Sequence, residues 1–381
     1  MAEQSGFEPA LVESLARLRG CRRAFGDQFP TVGDGTRYRL AANDNWLAGF
    51  WTGLLWQAYA ATGDRELRAQ AESLLPTFQE RLDKRVHITH DLGFLFTLSA
   101  RAQWQLTGDE QAQRLALLAA EELARRYRPQ GRYLQAWGQI SDPLEGGRAI
   151  IDTMMNLPLL FWASEQTGGP EYHRLARLHA ETSLRHLLRP DGASYHTFFF
   201  DQETGVPIGP RTHQGHADDS LWARGQAWAI YGFALAAEWC QEPSFLKAAE
   251  RAAQRFMSAL QPDGVPTWDL RLPGDAPRYP DSSAGAIAAC GMLRLARLKS
   301  GQEGVDLHNL ACTLLDALVA HCLETEPGAQ GLLRHGTYHA QKGLGVDAYF
   351  ICGDYFFLEA LLAVKGRAVD FWGPGGSSWK Q

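Results

Sequence analysis

Residues 218–237 read D-D-S-L-W-A-R-G-Q-A-W-A-I-Y-G-F-A-L-A-A: a pair of acids, then a helix-length run that is small and apolar on every side. An amphipathic helix shows one apolar stripe, whereas a helix apolar all round must be covered on all sides. The same phrase, an Asp or Asn followed by a Gly-, Ala- and aromatic-rich run, returns along the chain. It stands at N-D-N-W-L-A-G-F-W (43–51), H-D-L-G-F-L-F (90–96), I-D-T-M-M-N-L (151–157), D-S-S-A-G-A-I-A-A-C (281–290) and V-D-A-Y-F-I-C-G-D-Y-F (346–356). With Asn45, Asp91, Asp152, Asp219, Asp281 and Asp347 as register marks, the intervals are 46, 61, 67, 62 and 66 residues. Each interval has room for two helices and two loops.

The stretches between the marks, 65–81, 110–126 and 245–260, mix Leu, Ala and Phe with charges at helical spacing, the pattern of helices with one solvated face. Six hairpins of one covered and one half-covered helix close into a ring, since no single hairpin buries its apolar face alone. The expectation is an all-α (α/α)6 toroid forming a single domain over 1–381. Residues 1–30 are expected as a helical N-terminal extension and 366–381 as a C-terminal tail near the site. An aromatic strand and a turn within 194–210 predict a short β-hairpin in a loop at the mouth. Residues 133–147 and 265–281, punctuated by Gly and Pro, predict further loops there.

Net charge is −6 and no dense Lys/Arg block occurs, which argues against nucleic acid as a partner. The N-terminus lacks a basic head followed by an apolar core, and no apolar run reaches the roughly 18 residues that cross a bilayer, so no membrane partner is expected. Six cysteines without CxxC spacing suit free thiols of a reducing compartment, and a cytoplasmic location is expected. Oligomeric state is left open.

All six marks should face one end of the ring. An acid there is first of all a helix cap, but capping does not account for the His90, Trp46, Trp222 and Arg224 that accompany the marks. Trp residues, acids, Gln, His and Arg gathered at one mouth compose a sugar site: aromatic faces stack on C–H-rich ring faces, and amides and acids bind hydroxyls. Two carboxylates are the usual tool set of glycoside hydrolases, and Asp91 and Asp152 are the candidates. Arg224 on an otherwise apolar helix either meets a substrate anion or forms a buried ion pair with Asp218 or Asp219. The Asp218-Asp219 pair alone would suit a metal-dependent helical enzyme, but such sites need a spaced acidic cluster, so neither a metal nor another cofactor is expected. A non-catalytic carbohydrate-binding ring is a further alternative.

His90–Phe94, 151–157 and above all the block 213–228, H-Q-G-H-A-D-D-S-L-W-A-R-G-Q-A-W, resemble the signature blocks of the unsaturated glucuronyl hydrolases. The related unsaturated rhamnogalacturonyl hydrolases share W-A-R-G but continue N-G-W, where this chain has Gln226-Ala227-Trp228. A conventional inverting glycosidase on the same toroid is the other alternative. The resemblance implies an enzyme that removes the non-reducing-end 4,5-unsaturated uronic acid from oligosaccharides left by polysaccharide lyases, by hydrating the C4=C5 bond. It implies Asp152 as general acid/base with Asp91 beside it. Trp46, Trp137 and Trp228 would wall the sugar pocket, and His90, His196, Gln214 and Arg224 would supply polar contacts. Family members accepting sulfated fragments share a Ser-x-x-Ser-x-Lys run. Here Ser378 and Lys380 match, while Gly375 replaces the first Ser.

Overall fold

The computed structural model describes residues 6–375 except 141, 143 and 144. Ser378 and Lys380 therefore lie outside the described residues. The chain begins with helix α1 (Glu8–Phe25) and then lays down inner and outer helices in alternation. The pairs are α2 (Ala48–Thr62) with α3 (Arg65–Asp83), and α4 (Leu92–Phe96) continuing through a π-turn at Thr97–Arg101 into α5 (Ala102–Thr107), with α6 (Glu110–Ala124). Next come α7 (Leu157–Thr167) with α8 (Glu171–His186), α9 (Ala223–Cys240) with α10 (Pro243–Met257), and α11 (Ser282–Leu298) with α12 (Gly301–His321). Helix α13 (Ile351–Val364) is the sixth inner helix.

The inner helices pack in the circular order α2, α4, α7, α9, α11, α13 and back to α2, so the ring is closed. Every residue of α13 is buried, as is α9 from Ala223 to Ala237, which is why these runs carry no polar face. Outer helices bury one stripe only; in α10 it is Phe245, Ala248, Ala249, Ala252, Ala253 and Phe256, at helical spacing. Helix α1 is the outer partner of α13. Arg17 donates to the carbonyls of Glu324, Glu326 and Ala329 at 2.6–3.1 Å, and Glu8 pairs with Lys365 and Arg367.

A repeated connector sets the hairpins. Thr62-Gly63-Asp64 and Thr107-Gly108-Asp109 each end an inner helix at a glycine with φ near 70° (71° and 73°), and the Asp caps the next helix by accepting from Glu66 N or Gln111 N. Only glycine takes that left-handed turn without cost.

The predicted hairpin is present as β6 (Thr197–Phe200) and β7 (Pro207–Arg211), with Phe199 opposite Gly209; Asp201 ties its turn by accepting from Glu203 N, Thr204 N and Thr204 Oγ1. Its other edge pairs with β5 (Arg148–Ile150), giving a three-stranded sheet. Two other hairpins precede it, β1 (Phe29–Asp34) with β2 (Arg37–Ala41) and β3 (Tyr127–Arg128) with β4 (Tyr133–Leu134).

Residues 368–375, expected beside the site, cross the opposite end of the ring. There Asp370 is clamped by Arg294, Trp239 donates to the carbonyl of Trp372, Arg101 to that of Gly373, and Trp372 stacks on Phe356 at 6.1 Å. Among the described residues no helix is long and apolar enough to cross a membrane.

Candidate active site

The register marks collect at the N-terminal ends of the inner helices. Asn45 Oδ1 accepts from Leu47 N at 2.8 Å, Asp91 is the residue before α4, and Asp281 is the residue before α11. Asp152 stands on a 3-10 turn, Ile151–Met155, between β5 and α7. Strand pairing explains its neighbour: Ile150 lies opposite Thr197 and Ile151 N donates to the carbonyl of His196, so Asp152 and His196 leave adjacent strand ends together.

Asp152 is 8 % exposed, and its Oδ2 has no hydrogen-bond partner among the described residues. Burial first, and the like charge of Asp91 second, push its carboxyl up to about 7, against a smaller opposing pull from Arg224. Asp91 is partly exposed; its Oδ2 accepts from Thr89 Oγ1 at 3.0 Å and its Oδ1 lies 3.3 Å from His90 Nε2. His90 in turn holds the carbonyl of Ala136 through Nδ1 at 2.7 Å, and burial lowers its pKa.

His196 is buried, with Nδ1 accepting from the backbone N–H groups of His213 (3.0 Å) and Gln214 (3.1 Å). That places its proton on Nε2, which has no partner among the described residues. Burial holds its pKa well below the ordinary histidine value, so the ring is neutral. Sequence reasoning missed His339: it is buried, both ring nitrogens lack partners among the described residues, and desolvation lowers its pKa to about 4.

Aromatic contacts draw a collar round the acids. Trp137 lies 6.1 Å from His90 and 5.2 Å from His213, and His213 lies 5.4 Å from His339. Tyr338, the neighbour of His339, stacks on Trp46 at 6.5 Å, and Trp46 meets Phe94 at 5.9 Å. Arg148 rests on Trp137, 4.6 Å from the ring centroid, and backs it from the sheet. Trp228 lies deeper, fully buried between Phe94 (5.1 Å) and Phe356 (5.4 Å), as part of the floor and not the rim.

Arg224 forms a buried ion pair, but not with the acids the sequence suggested. Its ion pair is with Asp281 at 3.0 Å, not with Asp218 or Asp219. The same fork donates to the carbonyls of Thr337 (2.8 Å) and Tyr338 (2.7 Å) and to Gln214 Oε1 (2.6 Å). Both terminal nitrogens are thus engaged by the protein, and they hold the 336–348 loop against the 213–220 loop. Asp218 accepts from Thr212 N at 2.8 Å and lies 3.6 Å from Arg211. Asp281 could be found in sequence as a register mark, but its pairing with Arg224 crosses 57 residues and carries no local signal.

A buried acid held near neutrality, a second acid beside it, neutral imidazoles with unused N–H groups and an aromatic collar can bind a pyranose ring and give it a proton. The chain is matched over residues 22–356 by Glycosyl Hydrolase Family 88. It is 46 % identical over 371 residues to the unsaturated glucuronyl hydrolase of Bacillus sp. (strain GL1), covering 96 % of this chain and 98 % of that one. The crystal structure of unsaturated glucuronyl hydrolase from Bacillus sp. GL1, responsible for the degradation of glycosaminoglycan, superposes with a TM-score of 0.95 at 44 % identity, over 97 % of this chain and 100 % of the other. An Asp-to-Asn mutant of the unsaturated glucuronyl hydrolase from Streptococcus agalactiae, complexed with dGlcA-GalNAc6S, superposes with a TM-score of 0.82 at 33 % identity, over 93 % and 90 % of the two chains. The chain belongs to glycosyl hydrolase family 88 and is a glycoside hydrolase of the unsaturated glucuronyl hydrolase group.

Proposed function

We propose that the protein removes the non-reducing-end 4,5-unsaturated uronic acid from lyase-generated oligosaccharides, of glycosaminoglycan type or similar, with Asp152 as general acid/base. Asp152 Oδ2–H gives its proton to C4 as the C4=C5 electrons form the new C–H bond, leaving an oxocarbenium-like centre at C5. Water adds there and returns a proton to the carboxylate. The resulting hemiketal opens and expels the rest of the chain.

The observation that carries this reading is the unpartnered, buried Oδ2 of a carboxyl whose pKa is raised to about 7. A general acid works best when its pKa lies near the operating pH. Asp91 keeps that pKa high by its charge and offers Oδ1 to sugar hydroxyls. Trp46 and Trp137 face the sugar as collar walls, with Trp228 as the floor beneath. His90, His196 through Nε2–H, and Gln214 supply polar contacts, and Arg224 fixes the loops that carry them. The catalytic unit is the single toroid domain, and the six free cysteines, four of them buried, suit a cytoplasmic location.

The test is loss of the ultraviolet absorbance of the conjugated uronate in lyase-generated disaccharides, with saturated disaccharides as the control. Cleavage of the saturated sugars at a comparable rate would overturn the hydration mechanism in favour of attack at the anomeric carbon.

A further inference from the structure

The two acidic turns belong to different repeats, and a single side chain ties them together. Asn156 lies at the junction of the 3-10 turn and α7, fully buried, in a position where asparagine commonly caps a helix; here its side chain makes no cap bond. Its Oδ1 instead accepts from the backbone N–H of Phe94 at 2.6 Å, three residues after Asp91. Its Nδ2 donates to the backbone carbonyl of Asp152 at 3.1 Å. One planar amide therefore joins the backbone of the Asp91 turn to that of the Asp152 turn.

The opposite side of the junction is equally tight. A Cβ built on Gly93 would lie 2.3 Å from Asn156 Cα and 2.5 Å from both its Cβ and its carbonyl oxygen. Real Cβ atoms do not approach so closely, so the two turns meet backbone to backbone only because residue 93 has no side chain.

We propose that Asn156 and Gly93 form the spacer that sets the separation of Asp91 and Asp152, with Asn156 a positioning residue that does not touch substrate. The inference rests on the reading of these acids as the reacting pair. Two consequences follow from a spacer and not from a merely stabilising contact. Moving the Asp91 turn shifts Asp152 from its place against C4, and an error of about 1 Å in such placement costs on the order of 10²-fold in rate. It also weakens the like-charge push of Asp91 on Asp152.

The experiment uses the full chain and an unsaturated disaccharide. Wild-type turnover is measured first; its absence would mean that the proposed function has failed, whatever the spacer does. Given wild-type turnover, Asn156→Ala lowers kcat by about 10- to 100-fold with KM changed less than about threefold. The alkaline limb of its kcat profile moves to lower pH. Gly93→Ala, which removes no hydrogen-bonding group, does the same. Melting temperature is recorded in parallel, and should Asn156→Ala not fold, Asn156→Ser and Gly93→Ala are read in its place. Folded variants that keep the wild-type kcat and the wild-type alkaline limb overturn the proposal. So does failure of all three to fold, which would make the junction structural.

Discussion

The two ends of the ring both bury carboxyl groups, and Glu359 and Asp370 at one end are held in the opposite way to Asp152 at the other. At the closed end Glu359 accepts from Tyr231 OH (2.5 Å), Tyr355 OH (2.6 Å) and Trp372 Nε1 (2.9 Å). Asp370 there takes both terminal nitrogens of Arg294 at 2.6 Å and the backbone N–H groups of Trp372 and Gly373. At the open end Asp152 keeps an oxygen, and His196 and His339 keep ring nitrogens, without partners among the described residues. An unpaired buried polar group costs on the order of 1–3 kcal/mol. The carboxyls of the closed end avoid that cost and become clamps; Asp152 at the open end bears it and stays ready for a ligand that supplies the missing bond. Burial alone does not mark a reacting acid. Burial without partners does.

Substitution at either end breaks this contrast in its own way. Asp152→Asn removes the proton donor and leaves the shape, so kcat falls by about 10²- to 10⁴-fold. Binding of the unsaturated disaccharide, read by calorimetry, stays close to wild type. Asp370→Asn breaks a buried clamp and costs about 3–5 kcal/mol of stability. The melting temperature drops by several degrees, while kcat per folded molecule stays within about twofold of wild type. A large loss of kcat there, with stability intact, would erase the distinction between the ends.

Titration sharpens the comparison with smaller effects. Catalysis needs protonated Asp152, so rate falls as pH rises through about 7. Asp91→Asn deletes the second-largest cause of that high value, and the alkaline limb of kcat then moves to lower pH. A limb that stays in place would show that Asp91 does not act on Asp152. The smallest effect concerns stability. The folded chain holds the Asp152 proton up to about 7, whereas an unfolded aspartate releases it near ~4. Native protein thus binds the extra proton between those values, and its stability declines as pH climbs through that window. Asparagine does not titrate, so the melting temperature of Asp152→Asn relative to wild type is higher at pH 8 than at pH 5. Calorimetry at the two pH values reads the difference directly.

How far the sequence speaks depends on the range of each contact. Helix α9 was legible because coverage on all sides leaves a run with no polar face, and the hairpin 197–211 because an aromatic strand runs into a turn around Glu203-Thr204-Gly205. Asp91 and Asp152 were legible as register marks. The roles of Arg224 and Asn156 were not, since each is set by atoms of other repeats: Arg224 by Asp281, Thr337 and Tyr338, and Asn156 by Phe94. His339 was missed because a histidine in a loop has no periodicity to betray that both nitrogens are buried and unused. The π-turn at Thr97–Arg101 also gave no sign, as its composition does not differ from the helix on either side.

Ring closure has a consequence for how the chain is made. The seam between α13 and α2 joins segments some 300 residues apart, and α1 must wait for α13 before its buried face is covered. At a synthesis rate of about 5–20 residues per second, the first helices wait about 15–60 seconds for the partner that seals them. Until then the barrel is an open crescent with apolar flanks exposed, a form prone to sticking to other nascent chains and a natural client for chaperones.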